Sequence, residues 1–316
     1  MCYTITDKFQ NSVVGSQRML PWHQVKNIID ECAKLNVPSM SFSWRGESTM
    51  YRSKDENGDI MDFADVLKYA RTKGILEITS LTHGQLIDEK MAKKLAEYKV
   101  SRVSVSIDSM DEKIHDEIRG RKESWKRAIA ALEHVRNAGM DPYLNITVGH
   151  YNANTEHFKQ LLDYSKNKRY KTLLNVAVPS GMWQNAENII CDDKDREYLR
   201  KIRKEYKNLV RNVWNPFDRN HEKILGCTTV NRLYVTPIGD VLVCPYVHIK
   251  IGNIFEQSLA EIVKFGFSIK YFNNHSDLCL AGEDKSFISN FMTKSGQTIF
   301  KPALAKDIFS KEDFIE

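Results

Sequence analysis

Three cysteines and one glycine in the last third of the chain have a spacing that suits a metal centre. Eleven residues separate Cys227 from Gly239, four separate Gly239 from Cys244, and Cys279 follows later. Alternating apolar residues flank the turn sequence Pro-Ile-Gly-Asp, which predicts a β-hairpin that brings Cys227 and Cys244 together. The predicted strands carry Val230, Leu233 and Val235 before the turn, and Val241 and Val243 after it. Converging thiolates select iron–sulfur clusters or zinc; the alternative is a hairpin that buries two cysteines without a metal.

The composition sets broad limits on the class of protein. At 316 residues, with 42% hydrophobic residues, the chain has room for one large domain and one small one. Six irregularly spaced cysteines do not form a disulfide scaffold, and no apolar stretch has the length of a transmembrane helix. We therefore expect a cytoplasmic protein that has no membrane contact.

The net charge of +5 does not indicate nucleic-acid binding. Much of the excess lies in one predicted helix, with the sequence DREYLRKIRKEYKNLVR, whose apolar residues form a stripe. The stripe consists of Leu199, Ile202, Tyr206 and Leu209. The basic residues then form a solvated face, and no cluster of aromatic and basic residues argues for a nucleic-acid partner.

The first two thirds of the chain alternate between strand and helix patterns. The predicted strands are residues 37–44, 76–81, 102–107, 142–148 and 173–178. The predicted helices between them cover about residues 62–73, 88–98, 124–139 and 155–166, the third with Ser124 as its N-cap. Each connection is long enough for a right-handed parallel crossover. The pattern predicts an α/β barrel or a doubly wound sheet, with ligands at the carboxyl ends of the strands.

The cysteine–glycine–cysteine spacing resembles the auxiliary-cluster domain, called SPASM or twitch, of many radical S-adenosylmethionine (SAM) enzymes. The chain fits that signature at all three positions, and the later sequence IGNIFEQSLAEIV also matches the family. The resemblance implies that Cys227, Cys244 and Cys279 bind one 4Fe–4S cluster. Three cysteines leave one iron that is either open to substrate or bound by a nearby side chain. The candidates are Glu283, Asp284, His275 and His248; zinc with three thiolates and His248 is the competing metal site.

Two strand ends resemble SAM-binding segments of the same family. The sequence Trp-Arg-Gly-Glu-Ser, which contains Gly46 and Glu47, resembles the family's Gly-Gly-Glu-Pro, although its flanking residues differ. The resemblance implies that backbone groups of this loop bind the methionine amino group of SAM. The sequence Thr82-His83-Gly84 resembles the family's Thr-Asn-Gly.

The most extensive similarity lies in the sequence VSVSIDSMDEKIHDEIRGRKESWKRAIAALEHVRNAG. The resemblance implies that Ser106 and Asp108 lie near the ribose of SAM and that Arg119 lies near its carboxylate. An arginine fork suits a carboxylate physically. Without the resemblance, Asp108 would be a capping or turn residue and Arg119 a surface residue. Asn145 and Ser180 are further candidates at strand ends.

The N-terminus departs from the family pattern. Radical SAM catalysis needs a 4Fe–4S cluster held by three cysteines after the first barrel strand, and this chain contains no such triplet. Cys2, followed by an aromatic residue, resembles the third cysteine. The resemblance implies that the chain begins inside the cluster loop, so we expect the upstream reading frame to encode the other two cysteines. We also expect no SAM cleavage by this chain alone, a sheet edge near residues 39–43, and Cys2 within reach of Gly46 and Glu47.

The sequence therefore predicts two domains. An incomplete (β/α)6 barrel without its first strand covers residues 1–215, and a small α/β auxiliary-cluster domain covers residues 216–316. The implied activity is reductive cleavage of SAM to a 5′-deoxyadenosyl radical that abstracts hydrogen from a small-molecule or peptide substrate. The implied cofactors are 4Fe–4S clusters and SAM, with flavodoxin or ferredoxin as electron donor. Two alternatives are an inactive relative with one structural metal site and a plain α/β-barrel enzyme with a zinc-binding tail. No general acid or base is predicted.

We predict that anaerobically purified protein binds about one iron–sulfur cluster at the auxiliary site, because thiolates on one hairpin favour such clusters. Replacing both Cys227 and Cys244 with Ala should abolish iron binding and destabilise the C-terminal domain. Iron analysis and thermal unfolding measure both effects, and an unchanged iron content in the double variant would refute the assignment.

Overall fold

The structure is a computed structural model that describes residues 19–42, 47–180, 183, 186–206, 210–212, 227, 229–273, 276, 278–292 and 301–315. Four residues named in the sequence analysis, Cys2, Gly46, Leu209 and His275, lie outside the described residues. The expected proximity of Cys2 to Gly46 and Glu47 therefore stays a prediction.

The first part of the chain forms a parallel sheet with helices. In chain order its elements are α1 (Trp22–Lys34), β1 (Ser39–Phe42), β2 (Arg52–Lys54), β3 (Ile60–Asp62), α2 (Phe63–Thr72), β4 (Glu77–Thr82), α3 (Glu89–Glu97), β5 (Arg102–Ser106), α4 (Glu112–Arg119), α5 (Ser124–Asn137), β6 (Pro142–Val148), α6 (Glu156–Lys168), β7 (Lys171–Val176), α7 (Asp193–Glu205) and β8 (Val210–Asn212). Strands β1, β4, β5, β6, β7 and β8 pair in this order, and every pair is parallel. The predicted α/β class is confirmed, and among the strands that the structure describes β1 lies at one edge of the sheet, as expected.

The helices begin where the sequence places short polar side chains. Side chains at the helix N-termini accept hydrogen bonds from backbone N–H groups of the first turn, which have no partner within a helix. The residues that cap helices in this way are Asp62, Asp88, Asp111, Thr155 and Asp192. Each capped helix follows a strand, directly or after a loop. The capping residues therefore determine the position at which each helix begins.

Three local predictions were wrong. The segment predicted as one long basic helix ends at Glu205, and Val210–Asn212 pairs with β7 as a sixth strand. The pattern could not show this because three residues carry no period. The region after β5 contains two helices, and Ser124 is the first residue of α5 instead of its N-cap. Its hydroxyl donates to Asp116, whose carboxylate also accepts from the backbone of Glu123 and Trp125.

The two faces of the parallel sheet differ in polarity. On β5 and β6 the buried apolar residues alternate with polar ones, as strand geometry requires. One face carries Val103, Val105, Leu144, Ile146 and Val148, which belong to the main hydrophobic cluster. The other face carries Ser104, Ser106, Asn145 and Thr147, and the register places Ser106 beside Asn145 and Thr147 beside Asn175. The polar face therefore suits a polar ligand, whereas the apolar face packs against helices.

The second part of the chain forms a separate four-stranded sheet. Its elements are β9 (Tyr234–Val235), β10 (Asp240–Leu242), β11 (Ile249–Asn253), α8 (Leu259–Phe267), α9 (Lys270–Asn273), α10 (Lys285–Phe287), β12 (Ala303–Leu304) and α11 (Ala305–Ile308), with the strands in the order β12-β11-β10-β9. Strands β9 and β10 form the predicted antiparallel hairpin. Val230 was wrongly placed in its first strand, because its φ of 63° puts it in a turn.

The glycine of the cysteine signature is required by the hairpin turn. Gly239 has a φ of +81°, and a Cβ at this position would lie 2.4 Å from the ring of Phe255. Its N–H donates to the carbonyl of Thr236, which closes the turn. Both the positive φ and the close approach of Phe255 exclude a larger residue.

Buried hydrophobic residues form two clusters, one within residues 20–206 and one within residues 178–309. The predicted domain boundary at residue 215 falls outside the described residues and stays a prediction. No helix among the described residues combines the length and the apolar character needed to cross a membrane.

We predict that Gly84→Ala destabilises the barrel more than Gly74→Ala does. Both glycines have φ values near +85°, but a Cβ at Gly84 would lie 3.0 Å from Ala128 and Ala131, whereas nothing lies within 4 Å at Gly74. The difference in unfolding free energy should be about 1–3 kcal/mol, the usual cost of overpacking. Chemical denaturation measures it, and equal effects would show that α5 can move away.

Candidate functional site

Glu47 joins the loop after β1 to the carboxyl end of β4. Its side chain is buried, and Oε1 accepts hydrogen bonds from the Thr49 backbone at 3.2 Å and from the Thr82 hydroxyl at 2.6 Å. The Thr49 hydroxyl donates to the same oxygen, and the backbone N–H of His83 donates to Oε2 at 2.8 Å. These donors compensate the buried charge. The carboxylate thus ties residues 47–49 to the end of β4, and a SAM contact of the loop after β1 stays a prediction.

Asp108 and Arg119 form an ion pair after the carboxyl end of β5. Nε of Arg119, the last residue of α4, lies 2.5 Å from Oδ2 of Asp108. The backbone N–H of Asp108 donates to Nδ1 of His115 at 3.1 Å, and the His115 ring is buried. Since Nδ1 accepts, the neutral ring carries its proton on Nε2. The structure therefore brings together two predicted residues and adds His115, which positions Asp108.

A row of polar side chains crosses the sheet next to this ion pair. Nδ2 of Asn145 on β6 lies 3.3 Å from the hydroxyl of Ser106 on β5, and Nδ2 of Asn175 on β7 donates to Oδ1 of Asn145. Ser106 and Asn145 are both buried. The sequence analysis missed Asn175, although its place on the polar face of β7 follows from strand alternation. The row supplies hydrogen-bond donors and acceptors on the polar face of the sheet.

His83 stands where the family pattern has asparagine, and its ring lies next to the Glu47 carboxylate. Its Nδ1 accepts from the Gln85 backbone at 3.2 Å and lies 3.2 Å from Oε2 of Glu47. Burial lowers the pKa of His83, and the charges of Arg119 and Arg121 lower it further, against the effect of Glu47. The ring is therefore neutral at pH 7, and it presents the same kind of polar contacts as an asparagine.

The three cysteines of the C-terminal part approach one another. Cys227 precedes the hairpin, and its backbone N–H donates to the Ser276 carbonyl at 2.9 Å, close to Cys279 in the chain. Burial raises the pKa of the Cys244 thiol to about 12, with a smaller contribution from the neighbouring Cys227. Burial also raises the pKa of Cys279, with added effects of Cys244 and Cys227. Such thiols become ligands only when a metal stabilises the thiolates. The group of three cysteines therefore suits a metal centre such as an iron–sulfur cluster.

The described residues do not support a compact zinc site. Zinc–sulfur bonds of about 2.3 Å place tetrahedral ligands about 3.8 Å apart. In the described part of the chain, the three sulfur atoms do not form a group in which all lie within 4.8 Å of one another, with or without His248. The His248 ring instead contacts the hydroxyl of Ser180 at 3.4 Å and the carbonyl of Pro245 at 3.2 Å.

The remaining candidates lie elsewhere. Asp284 accepts from the Phe287 backbone and caps α10. Cys191 is buried, and burial raises the pKa of its thiol to about 12.

A further group, not predicted from the sequence, consists of His150 with Asp192 and Asp195. Nδ1 of His150 lies 2.8 Å from Oδ2 of Asp195, which raises the pKa of the ring.

Two family models match the chain. The radical SAM superfamily matches residues 1–165, just over half of the chain, and an iron–sulfur cluster-binding domain, SPASM, matches residues 227–280. An AdoMet-dependent heme synthase of Methanosarcina barkeri is 25% identical over 267 residues, which cover 76% of this chain and 72% of the relative. An Fe-coproporphyrin III synthase of the same organism is 35% identical over 128 residues, 40% of this chain and 29% of the relative.

Solved structures share the fold. Streptococcus suis SuiB bound to the precursor peptide SuiA superimposes with a TM-score of 0.58 at 17% identity, covering 83% of this chain and 60% of SuiB. The structure of anSMEcpe with bound AdoMet gives a TM-score of 0.58 at 16% identity, covering 95% of this chain and 88% of the other. The chain thus spans about three fifths of SuiB, and at these identities the likeness concerns the fold.

We predict that His115→Asn reduces the acid sensitivity of the fold. Burial lowers the pKa of His115, so its contribution to stability is complete above the unfolded pKa of about 6.5 and is lost as the pH falls below it. Asparagine keeps an acceptor for the Asp108 N–H but cannot titrate. The loss of Tm between about pH 7.5 and 5.5 should shrink by a few degrees. His134→Asn on α5 is the control; an equal loss in wild type and His115→Asn would contradict the prediction.

Proposed function

Because the chain belongs to the radical SAM superfamily, we propose that the protein binds SAM along the polar face of its parallel sheet and uses it to start radical chemistry on a substrate. The observation that carries the proposal is the Asp108–Arg119 ion pair beside the row of Ser106, Asn145 and Asn175. Ligands of parallel α/β folds bind at this edge. The family's reduced 4Fe–4S cluster supplies the cleavage of SAM to a 5′-deoxyadenosyl radical when it is bound, and the protein binds and orients the reactants.

Residues near the carboxyl ends of the strands would each bind a different part of SAM. Asp108 engages Nε of Arg119, so the terminal nitrogens of the guanidinium would bind the carboxylate of SAM in a fork. His115 holds the Asp108 backbone in place, while Ser106 and Asn145 would contact the ribose. Glu47 holds the loop after β1, whose backbone would bind the methionine amino group. Cys2 would be one ligand of the catalytic cluster.

The auxiliary domain would hold a second 4Fe–4S cluster through Cys227, Cys244 and Cys279. The match to an iron–sulfur cluster-binding domain over residues 227–280 contains all three. Cys227 is buried, Cys244 and Cys279 are half-buried, and the electrostatic influence of the three thiols on one another supports the same assignment. The three cysteines would bind as thiolates when the cluster is assembled.

The substrate is a small molecule or a peptide, and flavodoxin or ferredoxin would supply the electrons. The names of relatives support both substrate classes, since they include a heme synthase and a bacteriocin biosynthesis protein. SuiB, which shares the fold, binds a precursor peptide. We place the protein in the cytoplasm, where reduced thiols and such electron donors occur.

We predict that Arg119→Gln weakens SAM binding about tenfold or more. Hydrogen bonds to a charged group contribute about 1.5–3 kcal/mol, and 1.4 kcal/mol is a factor of ten. Arg119→Lys, which keeps the charge but loses the fork, should be intermediate. Equilibrium dialysis with labelled SAM and anaerobically reconstituted protein measures the affinity without requiring turnover.

Arg127→Gln is the matched control, because it removes the same charge from the exposed face of α5. Thermal unfolding verifies that each variant is folded. Equal SAM affinity in wild type and Arg119→Gln would remove Arg119 from the site. A folded wild-type protein that binds no SAM would contradict the proposed function.

A further inference from the structure

Cys279 lies at the start of a tight turn that brings Glu283 back towards it. The carbonyl of Cys279 accepts hydrogen bonds from the backbone N–H groups of Gly282, Glu283 and Asp284, at 3.2, 2.8 and 3.1 Å. A Cβ at Gly282 would lie only 3.7 Å from the Cys279 sulfur. The turn therefore places Glu283 next to Cys279. Gly282, which precedes Glu283, has no side chain that would fill the space near the sulfur.

The side chain of Glu283 also points back to the cysteine. Its Oε2 accepts a hydrogen bond from the backbone N–H of Cys279 at 2.9 Å. Its Oε1 lies 3.7 Å from Nη1 of Arg196 on α7, and the Glu283 side chain is 8% exposed. One carboxylate oxygen is thus fixed at Cys279, while the other lies on the side of the parallel barrel.

The other candidate ligands have different positions. Asp284 caps α10, and His248 contacts Ser180 and the Pro245 carbonyl. Cys227 contributes to the electrostatic environment of both Cys244 and Cys279. Among the candidates, the Glu283 carboxylate accepts a hydrogen bond from the backbone N–H of a predicted cysteine ligand, Cys279.

We propose that Glu283 supplies the fourth protein ligand of the auxiliary cluster, through a carboxylate oxygen at the iron that lacks a thiolate. The proposal rests on the proposed function, because it requires that Cys227, Cys244 and Cys279 hold a 4Fe–4S cluster. Carboxylate oxygen is a hard donor that binds iron, and an anionic ligand at the fourth position stabilises the oxidised cluster.

The identity of the fourth ligand determines the role of the auxiliary cluster in the reaction. A fourth protein ligand closes the cluster, so the substrate does not coordinate to it. The cluster then serves as an electron carrier, and Arg196 from the barrel lies next to its ligand. The substrate must be recognised by side chains and backbone groups alone, which favours a substrate class without a metal-binding atom at the reacting end.

The test compares anaerobically purified wild type, Glu283→Gln and Glu283→Cys, with Asp284→Asn as the matched control. The control removes the same charge one residue later, from a carboxylate that caps α10. The readouts are iron content, the EPR spectrum before and after mild oxidation, the response of that spectrum to added cyanide, and the midpoint potential.

We expect wild type and Asp284→Asn to keep four irons on oxidation and not to respond to cyanide. Glu283→Gln should lose one iron, show the EPR signal of a three-iron cluster, respond to cyanide and have a higher potential, since it removes an anionic ligand. Glu283→Cys should restore resistance to iron loss. If Glu283→Gln fails to fold, Glu283→Cys decides: a cluster that ignores cyanide supports the proposal, and a responsive one overturns it.

Two results would overturn the proposal alone: a Glu283→Gln cluster identical to wild type in all readouts, or a wild-type cluster that binds cyanide. Wild type without iron would refute the auxiliary cluster itself, and this proposal with it. The iron content of wild type therefore separates the failure of the proposed function from the failure of the ligand assignment.

Discussion

All six strands of the larger sheet run parallel. This constraint determines where the polar side chains near the carboxyl ends of the strands lie. Parallel strands in sequential order carry their carboxyl ends to one edge, so residues far apart in sequence become neighbours there. Ser106, Asn145 and Asn175 come from three strands and form one hydrogen-bonded row. Helix α5 packs against β5 and β6, which explains why one side of these strands is Val-rich and the other is not.

Buried polar groups at this edge are held by one another, and this fixes their positions before a ligand binds. Glu47 accepts from Thr49, Thr82 and His83, while His115 accepts from the Asp108 backbone. Satisfied buried networks of this kind are rigid, because a lost hydrogen bond in a low-dielectric region costs about 1–3 kcal/mol. A rigid site binds without a large entropy cost of ordering its side chains.

The C-terminal sheet contacts the barrel through groups next to the predicted metal ligands. Cys279 packs against both hydrophobic clusters. Ser180, after β7, contacts His248 beside the hairpin, and Arg196 of α7 lies near Glu283. A cluster bound by the three cysteines would therefore lie next to the carboxyl ends of the barrel strands. A structural change at the cluster would then shift the residues of the barrel that contact its ligands.

The sequence by itself determined the α/β class, the hairpin between Cys227 and Cys244 and the family, because strand alternation, helix capping and the glycine spacing are local patterns. By resemblance, and not by physical pattern, it also led to the prediction that Asp108 and Arg119 bind SAM. The tertiary structure alone decided that these two form an ion pair, that His115 supports them and that Asn175 completes the polar row. It also decided that β8 is a strand and that Glu283 turns towards Cys279. These features arise from contacts between segments distant in sequence or from turns without a period, and no local pattern encodes such contacts.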